Sequence, residues 1–428
     1  MALAAVAVAN IGLTQDGGVP KSALSFKERR LAVLPETLKV GEDPFFLSPD
    51  MNTLVYRGER GGMEFWVVGK TKGEEFEKLE ELIFSPDGKT VAYAAEKGGK
   101  SFIVVGDKKT EAFDKIICNP TFSPDGKTVA FRAEKGEESF VGVGDRRIHV
   151  GGAGQALLPL GSPVFSPDGK SLAYVDCKGA KFFVVVGDKK GEEFDSVDAD
   201  TLTFTRDGRS VAYLAGNNGK KFVVVEGKKG DDFDLVRSLA VTSDGSKVAY
   251  VARKNGKEFV VLGAEGGEEF ERVEHLTLGP DGKTVAYWAF VDDHSFVVLG
   301  EKKSNKSPFP QGIPASGISV SPDCKTIAYI TMTGEQTACL MVGTERSKDF
   351  DVAHHTAVSR PIFSPDGRVL AYIYADPKLE KTCLVVGGKR VGEFDNPLWA
   401  MTFSPDSRML GYLAIQGREL WWKVIGLK

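Results

Sequence analysis

A chain of 428 residues with 42% hydrophobic and 10% aromatic side chains has ample material for a buried core, which excludes a disordered protein. Lysine and arginine number 55 against 59 aspartates and glutamates. The resulting net charge of -4 argues against a dedicated nucleic-acid binder, where a clearly basic domain or stripe is expected.

The chain opens on the apolar run Met1-Ala2-Leu3-Ala4-Ala5-Val6-Ala7-Val8-Ala9-Asn10, which has no Lys or Arg before it and is too short to span a bilayer. It is no clear signal peptide, so a cytoplasmic protein is slightly preferred over a periplasmic one. No later stretch approaches a transmembrane length, and no direct membrane insertion is expected. Residues 1–25 read as an extended arm, and Arg30-Leu31-Ala32-Val33-Leu34 as a strand.

From there one unit recurs, shown by Leu82-Ile83-Phe84-Ser85-Pro86-Asp87-Gly88-Lys89-Thr90-Val91-Ala92-Tyr93. Pro86 presets φ in a tight turn, Asp87 can bond its own backbone, and Gly88 tolerates the left-handed exit. The turn aspartate returns at Asp50, Asp87, Asp125, Asp168, Asp207, Asp244, Asp281, Asp323, Asp366 and Asp406, at intervals of 37 to 43 residues. Ten copies at that period make a repeat protein.

The second repeat reads as strand A at Leu82–Ser85, strand B at Thr90–Ala95, strand C at Ser101–Val105 and strand D at Ala112–Ile116. The Gly98-Gly99 pair serves the B–C hairpin. Runs such as Phe182-Phe183-Val184-Val185-Val186 are continuously apolar, so both faces are covered. A β-propeller, whose blades lie between neighbours, supplies that cover. The final strand C, Glu419–Ile425, has no strand D after it, and the N-terminal run at about 26–40 would complete the tenth blade. The predicted fold is all-β: a single propeller of ten four-stranded antiparallel blades over 26–428. The alternative, two smaller propellers, would need a second closure near Asp244.

The repeated Phe-Ser-Pro-Asp-Gly-Lys-x-Val-Ala-Tyr pattern resembles the Pro-Asp variant of the bacterial WD-like repeat found in TolB-type propellers, from about Phe45 to Lys428. No Trp-Asp dipeptide occurs, which departs from the typical WD form. The resemblance implies binding of proteins or peptides on a loop face or in a central channel. It also implies, in some members, a propeller that gates a hydrolase; none follows the repeats here.

No nucleophile elbow, zinc-binding His-Glu-x-x-His or phosphate-binding loop is present. The cysteines (Cys118, Cys177, Cys324, Cys339, Cys383) form no CxxC pair, and Cys339 and Cys383 read as buried strand residues. The turn aspartates have a sufficient structural role. Basic pairs in the C–D turns, such as Lys108-Lys109 and Lys189-Lys190, are followed by acidic pairs, so a solvated rim is favoured over a polyanion-binding ring. Most D segments carry a Phe before Asp or Glu, expected to pack between blades.

Departures from the repeat collect in blades 7–9. They yield six candidate partner-binding residues, His294, Gln311, Gln336, His354, His355 and Trp399, on the face carrying the B–C and D–A loops. No catalytic, cofactor-binding or metal-ligating residue is assigned, and no cofactor is expected. The preferred reading is a non-enzymatic scaffold for a protein or peptide partner, with no nucleic acid. A channel-centred hydrolase or lyase and a structural subunit of a larger assembly are the alternatives.

Overall fold

The structure is a computed structural model and describes residues 25–34, 45–49, 53–151, 160–205, 207–242, 247–292, 294–304, 316–352, 358–395 and 401–427. Every regular element among them is a β-strand. Ten four-stranded antiparallel sheets form the blades of a β-propeller, three of them with a short fifth piece. By internal packing the described residues divide into two compact units, those within 1–36, 249–251 and 256–428 in one and those within 37–248 and 252–255 in the other.

Blade 2 shows the plan. Strand A is Ile83–Phe84, B is Val91–Lys97, C is Lys100–Val105 and D is Lys108–Lys109. Strand D therefore lies earlier than the sequence predicts. Lys108 and Lys109 face Val105 and Val104, and Phe113 then returns to Ser101 through one isolated bridge. Lys115–Ile116 already belongs to blade 3, where it pairs with Glu134 and Ala133. One extra residue between Lys109 and Phe113 bulges the ladder there, and the Thr110 Oγ1 takes the Ile103 N–H in place of a main-chain carbonyl. The chain thus leaves the outer edge early and adds a second piece to the next strand A.

The tenth blade joins the two ends of the described chain. Ser25–Val33 pairs antiparallel with Glu419–Gly426, Ser25 opposite Gly426, with a register shift between Arg30 and Ala32. Next to it the Leu34 N–H donates to the Arg418 carbonyl at 2.7 Å, and residues 35–40 of the predicted closing strand lie outside the described residues. The other nine sheets are built from consecutive strands.

The core is a series of seams between adjacent blades. Strand B is buried on both faces, as in Val91–Ala95. Its even and odd residues serve different seams: Tyr93 and Ala95 pack with blade 1, Ala92 and Ala94 with blade 3. The phenylalanine of each D segment fills the seam ahead of it. Phe113 meets Phe131 and Phe140 of blade 3 at 5.6 and 5.4 Å, and Phe194 meets Tyr213 and Phe222 of blade 5 at 6.4 and 5.3 Å. Burying one such ring contributes about 1.5–3 kcal/mol. Where the phenylalanine is missing, other side chains substitute: Ile148 and Val150 in the seam of blades 3 and 4, and Trp288 against Tyr329 at 5.0 Å in that of blades 7 and 8.

The aspartate after that phenylalanine does more than the sequence suggests. Asp114, Asp195, Asp234 and Asp395 each accept from a lysine 14 residues earlier on their own blade (Lys100, Lys181, Lys220, Lys381). Their other oxygen accepts the backbone N–H of the next blade's B–C turn, from Gly136 at 2.6 Å, Asn218 at 2.7 Å, Asn255 at 3.0 Å and Gly417 at 2.6 Å. One carboxylate therefore ties two blades together.

Candidate functional site

The turn aspartates are consumed locally. The Ser85 hydroxyl donates to Asp87 at 2.7 Å, the Lys89 N–H donates to the same oxygen at 3.1 Å, and Ser85 Oγ accepts from the Thr90 N–H at 3.0 Å. The same closed set recurs around Asp125, Asp168, Asp323 and Asp406. The donating serine hydroxyl, then the backbone N–H, holds each carboxyl below the usual aspartate range. These carboxylates serve the turn. Among the described residues no group of three His, Cys, Asp or Glu is placed to hold a metal ion.

Of the six candidate residues, two are described. His294 opens strand C of blade 7 opposite Val291, and Gln336 lies in the B–C turn of blade 8, where its carbonyl accepts from the Val352 N–H at 3.0 Å. Both are exposed at hairpin ends. Gln311, His354, His355 and Trp399 lie outside the described residues.

The basic pairs behave as a rim. The second member lies over an aromatic ring and meets a carboxylate: Lys109 stands 4.8 Å from the Phe102 centroid and 3.0 Å from Glu74, and Lys303 stands 5.1 Å from the Phe296 centroid and 2.6 Å from Glu268. The charge is thereby neutralised locally, as the alternating acidic pairs predict.

Sequence reasoning missed the cavities that open where a seam meets strand D. Between blades 8 and 9 a cavity of about 300 Å³ is walled by Leu340, Phe350, Tyr372, Tyr374 and Val385, with Arg390 at its edge. Arg390 donates to the Tyr374 hydroxyl at 2.6 Å and to Asp376 at 3.2 Å, and approaches Glu393 at 3.6 Å. Asp376 also accepts from the Lys378 and Leu379 N–H groups at 3.0 and 3.3 Å, so the B–C turn and the arginine share one anchor. Phe350 lies 4.8 Å from Tyr374, ring to ring. Burial pushes the Tyr374 phenol up to about 12, which keeps it a neutral donor and acceptor. The only sequence signal was Tyr374, at a position that is alanine in blade 2 (Ala95) and blade 5 (Ala215). Neither His294 nor Gln336 lines this cavity.

No family model matches the chain, and no curated protein matches it. Among solved structures it is similar to one described as the crystal structure of the eukaryotic initiation factor, at 13% identity and a TM-score of 0.43, covering 88% of this chain and 92% of that one. It is also similar to TolB from Acinetobacter baumannii, at 16% identity and a TM-score of 0.28, covering 54% of this chain and 65% of that one. At these values neither likeness carries an argument about what the protein binds.

Proposed function

We propose that this propeller is a non-enzymatic scaffold for a protein or peptide partner, and that the cavity between blades 8 and 9 receives the partner's anchoring side chain. The observation that carries this reading is the cavity itself: aromatic walls, a fixed guanidinium and a volume of about 300 Å³, enough for one large side chain. Arg390 is held by Tyr374 and Asp376 before any partner arrives, so little ordering cost falls on association. The site keeps the blade 7–9 sector expected from the sequence and moves the anchor from the loop face to the strand D edge.

Peptides selected from a random library on the wild-type protein test this. Binding is expected to weaken at least tenfold, about 1.4 kcal/mol, on Arg390→Ala, and Lys348→Glu, at a further lining residue of the cavity, is expected to act in the same direction. Selected peptides indifferent to both substitutions but lost on replacing His354 and His355 would return the site to the loop face. Robust turnover of a hydrolase substrate panel would refute the non-enzymatic reading.

A further inference from the structure

The larger seam cavity, between blades 1 and 2, encloses about 450 Å³ and shares no residue with the site of blades 8 and 9. Its walls are Trp66, Val68, Val91, Tyr93 and Val104, and Lys72, Lys89 and Lys109 stand among its lining with Glu74 and Asp107. That volume lies within the usual range for small-molecule pockets, roughly 300–1,000 Å³. Trp66 is only 3% exposed and is braced edge-on by Phe46 at 5.9 Å and Tyr93 at 6.4 Å.

Two features set this seam apart from its counterparts. The first is the indole. Blades 2, 4, 5, 6, 7 and 8 carry Ile103, Val184, Val223, Val260, Val297 and Leu340 where blade 1 has Trp66; blade 10 repeats the indole as Trp422, but there its partner on the closing strand is Arg29 and not a glycine. The Trp66 Nε1–H is buried with no hydrogen-bond acceptor, as are those of Trp288 and Trp421, but only Trp66 lines this cavity; buried indole N–H groups ordinarily have an acceptor.

The second is Gly73. In blades 2, 7 and 8 this position is Thr110, Ser304 or Ser347, whose hydroxyl accepts the strand C N–H of Ile103, Val297 or Leu340 at 3.0, 2.9 and 3.0 Å. Gly73 has no hydroxyl to offer. A β-carbon there would stand 3.1 Å from the Trp66 carbonyl oxygen and 3.7 Å from the Tyr93 hydroxyl, so the glycine holds the space open. Blades 4, 5 and 6 also have glycine here (Gly191, Gly230, Gly267), but beside valine. Indole and glycine coincide in blade 1.

We infer that the seam of blades 1 and 2 is a binding site for a small amphiphilic carboxylate with an aromatic or branched aliphatic body. The apolar walls take the body. Lys72 is paired with Glu75 at 2.5 Å and Lys109 with Glu74 at 3.0 Å, so Lys89, 4.0 Å from Asp87, is the lining amine left to meet one negative charge, and Glu74, shared between Lys97 and Lys109 at 3.0 Å each, orders the amines around it.

Three indoles with similar bodies and different charge test the inference: indole-3-acetate, 3-methylindole and tryptamine, titrated while the Trp66 indole N–H resonance is followed. Indole-3-acetate is expected to saturate and to bind at least tenfold more tightly than either of the others. Gly73→Thr, which installs the residue of blade 2, is expected to weaken it at least tenfold, and Lys109→Gln severalfold. Should Gly73→Thr fail to fold, Val68→Phe adds bulk to the same cavity from another of its lining residues. Arg390→Ala is expected to leave this affinity unchanged, which separates the result from the partner-binding reading. Equal or tighter binding of 3-methylindole or tryptamine, an affinity indifferent to the filling variants, or no saturation by any of the three would overturn the inference.

Discussion

The Sγ of Cys324 lies 2.9 Å from the point where a β-carbon on Gly279 would stand. These residues occupy the A–B turns of consecutive blades, and each departs from the repeat. Cys324 replaces the turn glycine and holds φ at 56°, while Gly279 replaces the turn serine. The two departures answer each other. The thiol enters the space that a serine would fill and bonds to Asp281. Burial pushes the Asp281 carboxyl up, but the Lys283 and Thr284 N–H groups, the Thr284 hydroxyl and Cys324 together bring it down to about 2.

A double-mutant cycle should detect this compensation. Gly279→Ser alone drives a side chain into Cys324 and is expected to cost about 1–3 kcal/mol. Combined with Cys324→Gly it restores the common turn, and the two changes should couple by roughly 0.5–3 kcal/mol in urea denaturation. Additive effects would mean that the turns do not sense each other.

The blade-to-blade carboxylates imply a direction for acid unfolding. Asp114, Asp195, Asp234 and Asp395 are each held low, first by the lysine hydrogen bond and then by the next blade's backbone N–H. A depressed folded value gives stability that is complete above the unfolded value, 3.8, and is lost as pH falls through the lower folded values. The melting temperature should therefore decline as pH drops from about 4 toward 2, and Asp234→Asn with Asp395→Asn should flatten that decline. A melting temperature constant down to pH 2.5 would contradict the assignment.

Arg132 gives the third expectation. It is fully buried at a strand B position occupied by Ala94, Val175 and Leu214 in neighbouring blades. It donates to the Val175 carbonyl, while Nε and Nη1 have no partner. An unsatisfied buried donor costs about 1–3 kcal/mol, so Arg132→Leu is expected to raise the urea midpoint by a corresponding amount. A lowered midpoint would show that the guanidinium earns its place through a partner.

Much of this architecture is legible in the residues because its signals are local. The Ser85-Pro86-Asp87-Gly88 turn closes on its own atoms, and the apolar run of Phe182–Val186 reports two-sided burial directly. Strand D lies elsewhere than predicted because its ladder is interrupted by one extra residue after Lys109, as it is after Lys190 and Lys229, and no residue type marks that break: Thr110 stands there in blade 2, Gly191 and Gly230 in blades 4 and 5. Asp114 was read only as the companion of Phe113, since the N–H it caps belongs to Gly136 on another blade. The cavities were invisible for a further reason. They arise from atoms that are not there, as at Gly73, and a repeat pattern marks a glycine without showing which neighbour has receded.

The pairing of Ser25–Val33 with Glu419–Gly426 has a kinetic corollary. Arg30 and its ion-pair partner Glu419 are 389 positions apart, so on the ribosome the earlier strand emerges long before its ladder exists. It must wait with its main-chain groups unmatched while nine sheets assemble from neighbouring segments. The loop entropy lost at that final docking grows only with the logarithm of length. Delay is the greater hazard: the late step in refolding should be annealing of this terminal pair, and aggregation should begin from chains in which it has not yet occurred.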